Sequence, residues 1–419
     1  MKNIIRKIKG TNDILPDESL IWIYFENYIR DFFQKYGYKE IRTPIFESTE
    51  LFLRSIGKDT DIVSKEMYSW IDQGNNNLTL RPELTASVSR SFIQNQLSKQ
   101  QKSHKFYYIG PSFRRERPQK GRFRQFEQFG IESFGSIFPE QDAEIISMAY
   151  LFYKSLNIKN LKLRINTIGS RKDRKKYVLS LKEYFTKFEN KLTSISKKRL
   201  ESNPLRILDT KIDFEIELVR DAPKIIDYIS QEDKKHFQTL LDILDNMNIP
   251  YTIDHYLVRG LDYYSRTVFE VQSDLLGSQN ALCGGGRYDY LIDELGGQKT
   301  PAIGFAAGIE RLILASELDV AEIINKPDIY IIASGNEAVN ISFSLANKLR
   351  HQEKFIVIQD TLRRSIKSQM KDANRLQAKY CIIIAEEEIK NSTVSIKNMD
   401  TGDQKTKLLD EVLDFFKNL

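Results

Sequence analysis

The chain has 419 residues, which is too long for one hydrophobic core and predicts two or three domains. Hydrophobic residues make up 41% of it and charged residues 29%, as in soluble globular proteins, and no run approaches the roughly 18 apolar residues of a membrane span. Two cysteines and four scattered histidines argue against a disulfide framework and a structural zinc site, and a net charge of +6 permits a polyanionic partner without requiring one.

The N-terminal segment predicts an intracellular chain that begins with a helix. Residues 1–16 contain no apolar signal core, which together with the few cysteines favours a cytoplasmic location. An aromatic-rich helix is expected over Ser19–Tyr36, with Asp17 or Ser19 as its N-cap and Gly37 at its end. A short strand, YKEIRTP, follows and ends at Pro44.

Strand patterns dominate the middle of the chain and alternate with helical ones. The connections resemble hairpins, which favours a largely antiparallel sheet flanked by helices, an α+β arrangement within the broad α/β class. The strands are expected at 78–82, 105–114, 122–134, 161–168, 253–258, 265–272 and 301–306, and the helices at 85–97, 141–156, 287–295 and 308–319.

Two other regions differ in pattern. Residues 171–250 are rich in lysine and poor in strand signals, which predicts a helical insertion with a bend at NPLRILDTK. From Asp328 onward, short apolar strands alternate with helices near 336–351 and 361–376, which predicts a small α/β domain. The linker Asn325–Pro327 places the domain boundary between residues 326 and 327.

The segment LTLRPELTASVSR, residues 78–90, passes from a strand into a helix that begins near Thr85. Glu83 lies at this junction, where its carboxylate could face the ammonium group of a ligand. Capping of the helix dipole is an equally good explanation of the same residue.

Residues 105–135 form two strand-like arms around a loop that holds Arg115, Arg117, Lys120 and Arg122. Period-two alternation on the second arm places four side chains on one face of the strand. Arg114, at the end of the first arm, should reach the same face. Guanidinium groups bind phosphate and aromatic rings stack on bases, so this face suits a nucleoside triphosphate without a P-loop. A solvated strand face is the alternative. The residues of the face are Arg124, Phe126, Gln128 and Glu132.

The segment IDHYLVRGLDYYSRTVFEVQ, residues 253–272, predicts a β-hairpin with RGLDYY at its end. Such a hairpin would present Arg259, Asp262 and Tyr264 together in an open mouth, a combination that a packed core does not need. An ordinary polar turn is the alternative.

Two glycine-containing segments follow. In ALCGGGRYD, residues 281–289, three glycines let the backbone approach something closely, and a tight turn before a helix is the alternative. In PAIGFAAGIERLILAS, residues 301–316, Arg311 lies near a helix N-terminus, where a cation is unfavourable. A bound anion would explain it, and so would a salt bridge to Glu310 or another acid.

Near the C-terminus, four basic residues fall at helical spacing in the segment TLRRSIKSQMKDANRL. They would form one basic stripe on a helix. A solvated helix face and contact with RNA are both consistent with such a stripe. These residues are Arg364, Lys367, Lys371 and Arg375.

From about residue 8 to its end the chain closely resembles the class II histidyl-tRNA synthetases. YKEIRTP, FRRERPQKGRFRQFEQFGIE and GFAAGIERL resemble the three class II motifs, while RGLDYYSRTVFE and LCGGGRYD resemble the two histidine-specific segments. KGTNDILP, TLRPE and NPLRILDTK match as well. Leu84 and Tyr290 depart from the glycine that many relatives carry, which bears on local packing more than on chemistry.

The resemblance implies a class II antiparallel catalytic domain over residues 1–326 and an anticodon-binding α/β domain over 327–419. It implies ATP-dependent activation of L-histidine to histidyl-adenylate and transfer to the 3′ end of tRNA(His), with Mg²⁺ bound mainly through ATP rather than by the protein. A homodimer is implied by the first motif alone, and no membrane partner is expected.

The resemblance also assigns roles to individual residues. Arg259 and Arg114 would act on the reacting α-phosphate. Histidine would be held by Glu83, Thr85, Gln128, Glu132, Tyr263 and Tyr264, of which Glu132 and Tyr264 would take the imidazole. ATP would be held by Arg114, Arg122, Phe126 and Arg311. The tRNA would contact Arg117 and Gln119 at its acceptor end and Arg364, Lys367, Lys371 and Arg375 near its anticodon.

Three alternatives to a histidine enzyme remain. A synthetase-like regulatory subunit of histidine biosynthesis usually lacks the tail, whereas the tail is present here together with Arg114, Arg259 and Arg311. A class II synthetase for proline or threonine is disfavoured by RGLDYY and LCGGGRYD. A generic RNA-binding module explains the fewest of the motifs.

Overall fold

The computed structural model describes residues 4–57, 60–319, 323–324, 326–353 and 355–418. The chain divides into two compact units, Met1–Val320 and Ala321–Leu419. The linker expected at 325–327 begins at a residue outside the described ones.

Within the described part of the first unit, the main sheet has eight strands in the order β1-β5-β6-β11-β10-β9-β7-β8. Its neighbours are antiparallel except for the parallel pairs at the two edges, β1 with β5 and β7 with β8. The strands are β1 Lys39–Glu40, β5 His104–Phe113, β6 Gln125–Phe134, β7 Leu161–Thr167, β8 Thr252–Ile253, β9 Ser265–Ser273, β10 Ala281–Arg287 and β11 Ala302–Gly308. A smaller sheet has the order β2-β4-β3, with β2 Phe46–Ser48, β3 Tyr68–Ile71 and β4 Asn77–Leu80.

Helices outside the insertion pack against this framework. The ring of Phe33 on the first helix lies 6.3 Å from that of Phe129, 5.7 Å from Phe152 and 6.0 Å from Phe305, so an aromatic core joins two helices to the central strands. These helices are α1 Pro16–Gln34, α2 Thr49–Ser55, α3 Thr85–Gln94, α4 Pro139–Ser155, α9 Leu291–Glu294 and α10 Ile309–Ser316.

Four further helices lie between β7 and β8, in the region expected to be a helical insertion. They are α5 Arg171–Thr186, α6 Ser194–Ser202, α7 Asp213–Arg220 and α8 Gln231–Asn246. The first three share a core of their own that includes the buried side chains of Tyr177, Leu181 and Phe185, whereas His236 of α8 bonds to Asp142 of α4. The bend expected at NPLRILDTK is a 3₁₀ turn over Pro204–Ile207.

The second unit is a five-stranded sheet in the order β13-β12-β14-β15-β16. β13, β12 and β14 are parallel to one another. β15 pairs antiparallel with β14, and β16 pairs antiparallel with β15. The strands are β12 Ile329–Ala333, β13 Val357–Gln359, β14 Tyr380–Ile384, β15 Thr393–Asn398 and β16 Gln404–Leu408. The helices are α11 Asn336–Gln352, α12 Ile366–Arg375, α13 Glu386–Lys390 and α14 Val412–Lys417. The expected fold class is confirmed.

Several local predictions are wrong. Residues 253–272 do not form a hairpin, because β8 has only two residues and pairs with β7, while β9 pairs with β7 and β10. The three glycines lie in strand β10, so the tight turn given as the alternative for them is excluded, and the helix expected at 287–295 is the short α9. The first helix starts with Pro16 at its first position and Leu15 as its N-cap, so neither Asp17 nor Ser19 caps it.

Candidate active site

One cavity of about 810 Å³ in the first unit collects most of the residues singled out above. It is lined by the start of α3, strands β6, β9, β10 and β11, the start of α10, the segment 256–264 and part of the helical insertion. The predicted residues in its lining are Glu83, Thr85, Arg114, Arg122, Phe126, Gln128, Arg259, Tyr263, Tyr264 and Arg311.

At one end of the cavity, Glu83 combines the two roles that the sequence left open. Its carboxylate accepts the backbone N–H groups of Thr85 at 2.7 Å and Ala86 at 2.8 Å, so it caps α3, and it also lines the cavity. Burial raises the pKa of this carboxyl group. The side-chain oxygen of Gln128 accepts the backbone N–H of Leu84 at 3.1 Å, which fixes the amide beside it.

Glu132 is buried next to the cavity and does not appear among the described residues that line it. Its carboxyl group accepts hydrogen bonds from the hydroxyls of Thr85 at 2.7 Å, Tyr108 at 3.1 Å and Tyr288. Burial raises its pKa to about 8. The sequence assigned no role to Tyr108, which lies in an ordinary apolar strand pattern, and it included Tyr288 in the segment LCGGGRYD without assigning it one.

The two tyrosines of RGLDYY stand side by side in the cavity wall. The rings of Tyr263 and Tyr264 lie 4.7 Å apart, and that of Tyr263 is 5.6 Å from Tyr288. Thr85 therefore lies close to both the Glu132 carboxyl group and the tyrosine cluster, since Glu132 bonds to Tyr288 as well. The arrangement forms a polar pocket enclosed by aromatic rings.

Arg259 lies over the glycines of β10. Its guanidinium forms an ion pair with Glu270 of β9, and a Cβ atom on Gly284 would overlap the guanidinium. The close approach expected for the three glycines is therefore confirmed at Gly284, where the approaching group is Arg259. Within the described residues, Nε of Arg259 is buried without a hydrogen-bond partner. Cys283 also lines the cavity, and burial raises the pKa of its thiol to about 12, so it stays a neutral thiol.

Arg114 and Phe126 form the aromatic and cationic part of the cavity. The guanidinium carbon of Arg114 is 5.4 Å from the centre of the Phe126 ring, and Nε donates to the carbonyl oxygen of Pro82 at 2.9 Å. Glu116 accepts from Arg122 at 2.9 Å and is 3.8 Å from Arg114. Phe126 of the face predicted on β6 thus lines the cavity together with Arg114 and with Arg122 of the preceding loop, whereas Arg124 of that face is not among the described lining residues.

Arg311 adds a third guanidinium group beside these two. It donates to the carbonyl oxygen of Ala281 at 2.8 Å and to that of Gly121 at 3.4 Å. The carboxylate of Glu310 instead accepts the backbone N–H of Glu127 at 2.9 Å. Both bonds of Arg311 go to neutral carbonyl groups, so its charge is available to an anion in the cavity.

The residues expected to contact tRNA lie outside this cavity. Arg117 and Gln119 are exposed in the loop before β6. In the second unit, Arg364 precedes α12 and pairs with Asp360 and Asp372, so the single basic stripe expected on one helix is wrong. Asp372 also pairs with Arg375, whereas Lys367 and Lys371 are exposed on α12.

The helical insertion supplies a wall of the cavity that sequence analysis missed. Arg206 forms an ion pair of 2.7 Å with Asp61, and both residues line the cavity. Asp209 and Lys211 line it too. The signal was the segment NPLRILDTK, whose charges were interpreted only as part of a bend.

Metal and membrane sites were also considered. Among the described residues, no group of three or more His, Cys, Asp or Glu side chains could hold a metal ion. In the same part of the chain, no helix is both long enough and apolar enough to cross a bilayer.

The sequence matches two protein families over most of its length. The family described as Histidyl-tRNA synthetase covers residues 10–172 and 182–312, and the one described as Anticodon binding domain covers 328–419. The histidine–tRNA ligase of Caldanaerobacter subterraneus subsp. tengcongensis is 46% identical over 412 residues, which is 98% of this chain and 99% of that protein. The histidine–tRNA ligase of Staphylococcus carnosus is 45% identical over 421 residues, 99% of this chain and 98% of that protein.

Solved structures show the same likeness. The crystal structure of apo histidyl-tRNA synthetase from S. aureus matches with a TM-score of 0.82 and 40% identity, and covers 99% of this chain and 100% of that one. An ATP phosphoribosyltransferase regulatory subunit/histidyl-tRNA synthetase from Bacillus halodurans C matches with a TM-score of 0.66 and 23% identity over 92% of this chain and 99% of that one. At that identity the second match shows the fold alone.

Proposed function

The chain belongs to the histidyl-tRNA synthetase family and charges tRNA with histidine using ATP, and we propose that it does so in the cavity described above. The observation that carries this proposal is the cavity's composition. A polar pocket enclosed by tyrosines and a set of three guanidinium groups with an aromatic ring open into the same volume, with Arg259 present in the wall as well.

The polar pocket is the proposed site for histidine. The ammonium group would bind to the carboxylate of Glu83, to the hydroxyl oxygen of Thr85 and to the amide oxygen of Gln128, all of which line the cavity. A bound ammonium beside Glu83 would offset the burial that raises its pKa. The imidazole would lie against Tyr263 and Tyr264.

Glu132 would complete the recognition of the imidazole indirectly, because the hydroxyls of Thr85 and Tyr288 bond to it. A site whose buried polar groups require a partner can reject analogues that lack it by about 10⁴-fold or more. Glu132 is fully buried and already accepts hydrogen bonds from three hydroxyls, so it would act on the imidazole by orienting the hydroxyls of Thr85 and Tyr288. We therefore assign it, with Tyr264, to the choice of histidine over other amino acids.

The guanidinium groups are the proposed site for ATP. Phe126 would stack on adenine, Arg114 would bind the α-phosphate, and Arg311 the γ-phosphate. Arg122 would add a further cation on the same side. No protein nucleophile is needed, because the carboxylate of histidine is itself the attacking group.

In the first step, a carboxylate oxygen of histidine attacks the α-phosphorus of ATP and a new oxygen–phosphorus bond forms. The bond between the α-phosphorus and the bridging oxygen breaks, and pyrophosphate leaves with that electron pair. Negative charge builds on the α-phosphate oxygens, where fixed cations such as Arg114 and Arg259 stabilise it. In the second step, a ribose hydroxyl of the terminal adenosine of tRNA attacks the carbonyl carbon, and AMP leaves.

Mg²⁺ is proposed to enter with ATP as a ligand of its phosphate oxygens. When bound there it neutralises part of the triphosphate charge. The carboxylates of Glu116 and Glu270 in the cavity are paired with arginines. This pairing supports a phosphate site in which arginine side chains supply the positive charge.

The tRNA is proposed to be tRNA(His) and to contact two surfaces. Arg117 and Gln119 are exposed in the loop next to the cavity residue Arg122, which suits contact with the acceptor end. Lys367 and Lys371 on α12 would contact the anticodon stem-loop, with Arg364 and Arg375 at the ends of the same segment. Residues 1–326 would be the catalytic domain and residues 327–419 the anticodon-binding domain.

A homodimer is proposed from exposed apolar groups in the first unit. Phe46, Trp70 and Ile71 of the small sheet expose 53%, 41% and 64% of their surface, and Ile23 of α1 exposes 52%. The ring centres of Phe46 and Trp70 lie 6.2 Å apart, so the small sheet carries an exposed apolar patch, which a second copy of the chain would cover. A cytoplasmic location is also proposed, since both cysteines are free thiols, as is usual in a reducing compartment.

A crossed pair of variants tests the assignment of the two ends of the cavity. Tyr264→Phe should raise the KM for histidine in ATP–pyrophosphate exchange while leaving the KM for ATP near that of the unmodified enzyme. Arg311→Ala should raise the KM for ATP while leaving that for histidine. If each variant changed both constants equally, the assignment of the ends would be wrong.

A further inference from the structure

Two side chains of the helical insertion, Arg174 and Asn203, bond to the RGLDYY segment. Arg174, in the first turn of α5, donates from Nη1 to the backbone carbonyl oxygens of Tyr264 at 2.9 Å and Asp262 at 3.3 Å. Residues 259–264 form neither helix nor strand, so no sheet ladder holds these carbonyl groups in place. A single guanidinium nitrogen therefore bridges the carbonyl groups of the residue before Tyr263 and of Tyr264.

Asp262 joins the same segment to residues outside it. Its backbone N–H donates to the carbonyl oxygen of Ile56 at 3.1 Å, and its carboxylate accepts from the side-chain amide of Asn203 at 3.3 Å. A Cβ atom on Gly57 would overlap this carboxylate, so the backbone at Gly57 lies directly against the Asp262 side chain. The turn that carries both tyrosines is thus fixed by α2 on one side and by the insertion on the other.

We propose that Arg174 is a positioning residue for histidine recognition, through which the helical insertion sets the placement of Tyr263 and Tyr264. The guanidinium is partly buried, so water only partly replaces its bonds to the two carbonyl groups when it is removed. Without it, the carbonyl groups of Asp262 and Tyr264 lose this partner, and the backbone that carries both rings is held less firmly. This inference rests on the proposed roles of Tyr263 and Tyr264.

The phosphate site has separate supports, which gives the inference a distinctive signature. Arg259 is held by Glu270 and over Gly284, and neither contact involves the insertion. Loss of Arg174 should therefore affect binding of histidine much more than binding of ATP. A residue that served only the folding of the insertion would lower stability without separating the two substrates.

The test compares Arg174→Ala and Arg174→Lys with Lys175→Ala, an exposed basic residue at the next position of the same helix. Each variant is assayed for histidine-dependent ATP–pyrophosphate exchange with histidine and ATP varied in turn, and its Tm is recorded. Arg174→Ala should raise the KM for histidine about tenfold, the cost of one lost hydrogen bond from a charged group, and should change the KM for ATP less than about twofold. Lys175→Ala should match the unmodified enzyme.

Arg174→Lys keeps a cation with several N–H donors, and one nitrogen makes both bonds in the structure. It should therefore recover part of the lost affinity, and it carries the test if Arg174→Ala does not fold. An unchanged KM for histidine in both Arg174 variants, or equal rises for histidine and ATP, would overturn the proposal.

Tyr264→Phe is measured in parallel to separate this proposal from the one it rests on. If Tyr264→Phe raises the KM for histidine and the Arg174 variants do not, only the role of Arg174 is refuted. If Tyr264→Phe leaves that KM unchanged, the proposed recognition of histidine by Tyr264 is refuted first.

Discussion

The guanidinium of Arg259 is paired with the carboxylate of Glu270 in the wall of the cavity, directly above the open face of Gly284. Arg259 lies in the segment before β9, and Glu270 lies in β9 itself. The expected hairpin would have placed these two parts of the chain differently. The ion pair fixes a positive charge before any substrate binds. A fixed charge requires little reorganisation when the phosphate becomes more negative, which is the arrangement that stabilises a transition state most effectively.

Gly284→Ala tests whether the position of Arg259 matters for catalysis. A methyl group at this position would overlap the guanidinium and push it away. A displacement of about 1 Å can lower a rate on the order of 10²-fold, so the kcat of histidine-dependent exchange should fall by roughly that factor. A suitable control is Gly260→Ala, because a Cβ atom there meets no atom within 4 Å. Equal losses in both variants would show that the effect does not depend on Arg259.

Phe126→Leu tests the stacking of adenine. The ring lies beside Arg114 in the cavity and has no other assigned role. Loss of stacking on one base should raise the KM for ATP about tenfold to hundredfold. The KM for histidine should stay close to that of the unmodified enzyme when the exchange reaction is measured at saturating ATP. An ATP KM that did not change would place adenine elsewhere.

Glu132→Gln tests the buried carboxyl group through the pH dependence of stability. Burial raises the folded pKa to about 8, above the unfolded value near 4.5. The folded protein therefore binds an extra proton between these values, and the stability due to Glu132 is complete below pH 4.5 and is lost as the pH rises through 8. Glutamine does not titrate.

The free energy of unfolding of the unmodified protein, minus that of Glu132→Gln, should therefore fall as the pH rises from 5 to 8. The slope should approach about 1.4 kcal/mol per pH unit at most. Urea unfolding of both proteins at pH 5, 6, 7 and 8 measures this difference directly. Glu127 and Glu310, whose pKa values burial also raises to about 7, contribute equally to both proteins and cancel. A difference that stayed constant or grew with pH would contradict the assignment.

Lys367→Ala combined with Lys371→Ala tests the surface proposed to bind the anticodon. The double variant should weaken tRNA binding and reduce the slope of log affinity against log salt concentration by about 1 to 2, one contribution per lost phosphate contact. Histidine-dependent exchange needs no tRNA and should be unchanged. Arg364→Ala should instead lower the Tm of the second unit, because Arg364 holds Asp360 and Asp372. A double variant that bound tRNA normally would move the contact to another surface.

The site residues that sequence analysis placed well are those set by local alternation. Phe126 and Gln128 share a face because β6 is a regular strand, and both line the cavity. Glu83 could be located because a strand ends where α3 begins. In these cases the side-chain direction depends on a few neighbouring residues, and the sequence contains all of them.

The features that were missed depend on contacts between distant parts of the chain. β9 pairs with β7, which lies about a hundred residues earlier, so no local pattern could show that residues 253–258 are not its partner strand. Three glycines are a turn signal by local rules, but a Cβ atom on Gly285 would overlap the carbonyl oxygen of Gly304, so only glycine fits in this crowded strand. The pair Arg206–Asp61 joins residues 145 positions apart. Asp372 was overlooked because only the cations of its segment were considered.

Arg259→Ala in ATP–pyrophosphate exchange is the most direct test of the central claim that this cavity activates histidine. Exchange is measured at saturating histidine and ATP, and histidine binding is measured separately by calorimetry. The rate should fall on the order of 10²–10³-fold, as for loss of one preorganised group in a transition state, while histidine binds with nearly unchanged affinity. A variant that exchanged at the unmodified rate, or that lost histidine binding in proportion to its rate, would contradict the account.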